Sequence, residues 1–259
     1  MICIDCGTEY EGSFCPKCGQ PAKTGRITVK DTLHSVFTSF LVGDNKFINT
    51  CWQLIIHPGV MVRNYLYGRR SKLMAPVPLL VRMVAVYLLV KFLLDIPSGE
   101  THFISDDIRG NIHSDSLLMF CGFMEHVLKN NVLFALMSAA LFVLPFYLLY
   151  KKKTIEHPGG KSLSLNTAEH FYTLVYVGCM YMMLSFVLLP FHGPEHMGIK
   201  SVADFVRLMF PVIVYHQLYR VGWWASFWRC IVAWIMVIVA LIVFVLLTFG
   251  LFYGFDAVK

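Results

Sequence analysis

Between Cys230 and Phe255 the chain runs for twenty-six residues without a charged side chain. At about 1.5 Å per helical residue such a run exceeds the roughly 30 Å thickness of a bilayer's hydrocarbon core, so a helix here spans and tilts. Trp223, Trp224, Trp228 and Trp234 gather at its start. Indole rings prefer the head-group layer, and this placement fits an interfacial belt.

Three further runs have the same character. Val77 to Ile96 carries Arg82 and Lys91 near its ends, Val132 to Tyr150 stops at Lys151, Lys152 and Lys153, and Phe171 to Pro190 is uncharged. A fifth run, residues 205 to 219, is short for a span. It has Arg207 near its start, Pro211 inside, and His216, Gln217 and Arg220 at its end. With 57% hydrophobic and 15% charged residues, the 259-residue chain lies outside the range of soluble domains. The expected fold class is an all-α membrane protein with about five transmembrane helices, spans 77–96, 132–150, 171–190, 205–219 and 230–255.

Charge placement orients those spans, because loops left in the cytoplasm retain Lys and Arg. With five spans and the N-terminus inside, the inner segments hold fifteen basic residues, nine of them before residue 77. Only five fall outside: Arg109, Lys129, Lys200, Arg207 and Lys259. The expected orientation is a cytoplasmic N-terminus and an extracytoplasmic C-terminus. The net charge of +6 is thus spread over topology-setting loops. No basic face interleaved with aromatics is present to track phosphates, and nucleic acid is not an expected partner.

The amino-terminal end is of another kind. Cys3-x2-Cys6 and Cys15-x2-Cys18 each end in glycine, Gly7 and Gly19. Two such turns supply four thiolates to a tetrahedral metal, and glycine suits the sharp turn after each second ligand. Disulfides or iron are the alternatives. No secretion signal precedes Cys3, and a reducing compartment favours zinc. Residues 1–22 are therefore expected to form a minimal four-cysteine zinc ribbon with one small hairpin between the turns. Zn2+ here is structural, since four cysteines leave no open position.

Residues 27–76 join head to membrane through amphipathic or interfacial helices. Leu33, Val36, Phe37, Phe40 and Leu41 recur at helical spacing, as do Phe47, Ile48, Cys51, Leu54 and Ile55. His57-Pro58-Gly59 breaks the second helix, and Val60 to Tyr67 forms a third before Gly68-Arg69-Arg70. Such faces beside basic residues suit either the surface of a lipid bilayer or padding beneath the bundle. Residues 77–259 form the helical transmembrane domain.

Cys3-x2-Cys6-Gly7, Phe14-Cys15-x2-Cys18-Gly19-Gln20, Asp44-x2-Phe47-x2-Thr50, Leu54, Pro58-Gly59, Tyr65-Leu66, Gly68-Arg69-Arg70 and Pro76 together resemble an uncharacterised family of bacterial membrane proteins, catalogued as a domain of unknown function. The resemblance covers the whole chain in layout, with its specific motifs before residue 77. It implies a multi-pass bacterial inner (cytoplasmic) membrane protein and supplies no catalytic residue. The five-span plan is also similar, in topology, to that of Yip1-like membrane proteins.

Polar residues near membrane depth are the remaining candidates for chemistry: Glu169, His170, His192, Glu195, His196, His216 and Arg220. His192, Glu195 and His196 offer two imidazoles and a carboxylate, although Gly193 and Pro194 prevent the helical geometry of an HExxH site. Glu169 and Arg220 are expected to neutralise each other. Cys51, Cys121, Cys179 and Cys230 read as small buried hydrophobes. Three functions stay open: a docking, scaffold or membrane-organising protein whose ribbon and interfacial helices meet a cytoplasmic protein or organise lipid, a transporter or channel, and a membrane-embedded enzyme acting on lipid. The reading leans towards no enzyme.

Overall fold

In the computed structural model, residues 1–22, 46–95, 122, 126, 131–156, 162–191 and 197–256 are described. Seven helices of at least ten residues are named among them: α1 (Lys46–Ile56), α2 (Pro58–Tyr67), α3 (Pro76–Leu93), α4 (Asn131–Tyr150), α5 (Thr167–Val187), α6 (Met197–Tyr219) and α7 (Trp223–Asp256). A two-residue antiparallel pair, β1 (Ile155–Glu156) with β2 (Ser162–Leu163), joins α4 to α5. The expected helix over Leu33 to Leu41 lies outside the described residues.

Among the described residues, four helices are long and apolar enough to cross a membrane: Pro76–Leu93, Val132–Tyr150, Thr167–Val187 and Trp223–Phe244. The chain is a multi-span membrane protein. α6 is not among the four, because Lys200, Asp204 and Arg207 dilute its first half. Yet its 23 residues reach about 34 Å, longer than the expected 205–219 run.

α5 is the hub. Twelve of its residues are buried, and α1, α2, α3, α4 and α6 pack against it. Its start lies before Phe171 because Asn166 caps it: Glu169 N–H donates to Asn166 Oδ1 at 2.8 Å, and Asn166 N–H donates to Glu169 Oε2 at 2.8 Å. This reciprocal box satisfies two amides the first turn would otherwise leave open.

α6 returns antiparallel along α5. The pairs Ser185 with Arg207, Tyr181 with Phe210 and His170 with Tyr215 run in opposite order. α4 is also antiparallel to α5, with Ala135 near Gly178 and Tyr147 near His170. α3 runs with α5 but starts opposite its middle, where Pro76 O accepts from Cys179 Sγ at 3.8 Å.

The first half of α5 is covered by α2. Pro58, Gly59, Met61, Val62, Tyr65 and Leu66 are all buried, which places this short helix in the core and not on a lipid surface. Pro58 opens α2 as well as closing α1, since a proline in the first turn has no N–H to leave unpaired. At Gly59 the chain crosses α6 so closely that an added Cβ would strike Val214 O and stand 2.9 Å from Leu218 N. Gly59 N–H donates to Gln217 Oε1 at 2.9 Å, and Arg63 Nε donates to Leu218 O at 2.9 Å. These bonds satisfy carbonyl and amide groups where two helices cross.

α1 lies beside this knot with a different allegiance. Thr50 and Leu54 face inward, and Met74 N–H donates to Thr50 Oγ1 at 2.9 Å. Ile48, Trp52 and Ile55 point away from the protein, 63–72% exposed. The helix is amphipathic as expected, but its apolar stripe is divided: Leu54 is buried and Phe47 and Cys51 pack partly against the core, while Ile48 and Ile55 face outward.

Candidate metal centre

The head is built as two copies of one turn, offset by twelve residues. In the first, Cys3 N–H donates to Thr8 O at 2.9 Å and Gly7 N–H to Cys3 O at 3.0 Å. In the second, Cys15 N–H donates to Gln20 O at 2.9 Å and Gly19 N–H to Cys15 O at 2.9 Å. Gly7 and Gly19 have φ of 71° and 70°, a left-handed backbone that side chains resist. Each turn is closed by one antiparallel bridge, Ile2 with Glu9 and Phe14 with Pro21. The hairpins thus fold back at the CxxCG turns themselves, in place of one expected between them. The repeat was visible in the cysteine and glycine spacing.

This symmetry brings the four sulfurs together. Cys3 Sγ lies 3.5 Å from Cys18 Sγ, Cys6 Sγ lies 3.5 Å from Cys15 Sγ, and all four are within 4.8 Å of one another. A tetrahedral Zn–S bond of about 2.3 Å implies S–S edges of about 3.8 Å. A disulfide would need about 2.05 Å, so the spacing matches ligands around an ion and not paired cystines. The four cysteines can hold a metal ion.

Their environments differ. The Thr8 hydroxyl, 3.2 Å from Cys6 Sγ, and the Thr8 amide pull the Cys6 thiol down to about 6, while burial pushes Cys18 up to about 12. Cys6 is thus poised as a thiolate, and Cys18 gives up a proton when a metal binds. Cys3, Tyr10 and Cys15 make up the whole buried apolar cluster of the head, so it has almost no core of its own.

Gln20 joins the head to the knot. Only 1% exposed, it donates from Nε2 to Gly68 O at 2.8 Å and accepts from Arg70 N–H at 3.2 Å. The Ser71 hydroxyl donates to Asp5. Gly68 caps α2 in a left-handed conformation, and Arg70 lies over the Tyr65 ring at 5.2 Å. Tyr65 in turn stacks on Tyr172 and meets Tyr176 edge-on, a continuous path from metal centre to α5. Gln20 stands in the Cys15-x2-Cys18-Gly19-Gln20 motif, but its role as the clamp depends on partners 48 and 50 residues away.

The polar candidates are scattered. Glu169 caps its own helix. His170 is fully buried, with Nδ1 3.0 Å from the Tyr215 hydroxyl. His216 is half-buried, stacked on Trp223 at 4.0 Å and bonded to Val221 O. Arg220 is exposed at a turn with φ of 51°. The carboxylate expected to meet Arg220 is instead engaged by the Asn166 amide. His192, Glu195 and His196 lie outside the described residues. Cys51, Cys179 and Cys230 are half-buried or buried as expected, and burial pushes the Cys51 thiol up to about 11, an unreactive state. Cys121 lies outside the described residues.

Fold and site together define a multi-span membrane protein with a four-cysteine head. Residues 44–88 match a family model described as a protein of unknown function (DUF3667). That stretch is α1, α2 and most of α3, the knot on which the head is clamped. No curated protein and no solved structure matches the chain.

Proposed function

We propose that the protein is a scaffold of the bacterial inner membrane whose zinc-clipped head is a docking surface for a cytoplasmic protein. Zinc is structural in this reading, held by Cys3, Cys6, Cys15 and Cys18 with no position left for substrate. α6 crosses with the other four helices, which leaves the head cytoplasmic and Lys259 outside, in accord with the basic residues before residue 77 and after α4. The lipid bilayer takes up the outward Ile48, Trp52 and Ile55 of α1 at its inner surface.

The observation that carries the docking reading is the fixed presentation of the head. Gln20 and Asp5 hold it on the knot, and Ile2 and Phe14 stay 73% and 65% exposed on its opposite strands. Large apolar side chains on a rigid polar surface are anchors for protein contacts. Against the enzyme reading, Glu169 caps its own helix and His170 Nδ1 meets the Tyr215 hydroxyl.

Complementation of a deletion strain separates the two. Ile2→Asp with Phe14→Asp is expected to abolish function while zinc is retained. Alanine at Glu169, His170, His192, Glu195, His196, His216 and Arg220, introduced singly, is expected to preserve it in every variant that accumulates to wild-type level. The reverse pattern returns the protein to the enzymes.

A further inference from the structure

α4 and α6 meet at one end of the bundle and part at the other. Near the head, Phe146 stacks on Tyr215 at 4.4 Å, and Tyr150 on Tyr219 at 4.9 Å. Away from it the two helices flank a cavity of about 500 Å³ floored by α5 and bounded by Trp234 of α7, which meets Phe142 at 4.6 Å. That volume falls within the range of about 300–1,000 Å³ typical of small-ligand pockets. Pro145 and Pro211 interrupt the hydrogen-bond ladders of α4 and α6, so that neither helix is bound to a straight course where they diverge.

The cavity's walls are graded. Leu174, Val177, Met182 and Phe142 make its deeper part apolar, whereas Ser185, Asp204 and Arg207 gather at the far rim. Arg207 donates to Asp204 Oδ1 at 2.6 Å and to Ser185 Oγ at 3.2 Å. One cation and one anion therefore stand side by side, both with exposed area, at the mouth of an apolar slot. The slot opens beside Phe134 and Leu208, which are 48% and 42% exposed on the bundle's flank. Charged groups at membrane depth pair with one another or face a cavity, and Arg207 with Asp204 does both.

We infer that this slot binds one phospholipid with a zwitterionic, primary-ammonium head group. Its acyl chain lies along α5 between α4 and α6, its phosphate meets the Arg207 guanidinium, and its ammonium meets the Asp204 carboxylate. Charge complementarity chooses this occupant over an anionic lipid, which Asp204 would repel. The inference depends on α4–α7 lying in the membrane and not on the docking role of the head.

The test uses the full-length protein in vesicles containing phosphatidylethanolamine with a photoactivatable diazirine on one acyl chain, and maps the adducts by mass spectrometry. Adducts are expected on Phe134, Leu174 and Met182 in excess over Ile235 and Val239 on the exposed face of α7. Ala139→Trp, which fills the slot, is expected to remove the slot adducts and leave those on α7. Arg207→Ala is expected to lower slot labelling about tenfold, the loss of one charge-assisted contact. Asp204→Asn, at an exposed position, is expected to shift the preference towards phosphatidylglycerol carrying the same diazirine. Slot labelling no greater than on α7, or a wild-type preference for phosphatidylglycerol, overturns the assignment.

Discussion

Head and bundle solve the same problem by opposite means. In the first 22 residues only three apolar or sulfur side chains are buried, and the fold is set by the convergence of four sulfurs. In the bundle, α5 alone buries twelve residues, and helices approach until a methyl group would not fit at Gly59. A small module without a core needs ligand bonds, and a packed bundle needs matched volumes. The head should therefore fail by chemistry and the bundle by sterics, each leaving the other standing.

The largest effect is expected from Cys3→Ser or Cys15→Ser. Loss of one thiolate removes most of the metal's contribution, on the order of 10 kcal/mol, to the head's folding. Bound zinc should vanish and residues 1–22 should become protease-sensitive, with helical circular dichroism and its melting unchanged. Next comes Gly59→Val, where the new side chain meets α6 backbone. A loss of about 3 kcal/mol or more in the stability of the bundle is expected in thermal unfolding, with zinc still bound.

Acid should distinguish the two halves without mutation. Cys18, pushed up to about 12 when metal-free, must lose its proton to bind zinc. Affinity thus rises with pH and falls about tenfold for each proton taken up per unit of acidification. Titration from pH 7.5 to 5 should release zinc before the helices melt, followed with a zinc-sensitive dye. The smallest effect is that of Gln20→Ala, about 1–3 kcal/mol from unpairing Gly68 O and the Arg70 amide. Zinc should remain while trypsin reaches Arg69 and Arg70 faster.

How far the sequence carried depended on whether a signal was local. Cysteine spacing is local, and the four-sulfur cluster followed from it. The apolar runs are local too, and four of them became helices able to span. Helix starts were less legible where the signal was polar. Asn166 and Glu169 formed a capping box just before the apolar run, and α6 began inside a charged stretch that hydropathy passes over. Gln20, Gly59 and the slot under Arg207 depend on segments far apart in the chain. Their partners lie 48, 158 and 22 residues away, beyond any window of periodicity.

The central claim is that a closed four-thiolate metal centre holds the head on the membrane domain. Elemental analysis of the full-length protein, purified in mild detergent without added metal or chelator, tests it most directly. One zinc per chain, absent from Cys15→Ser, is the predicted result. A zinc-free chain with Cys3, Cys6, Cys15 and Cys18 joined in two disulfides would contradict it.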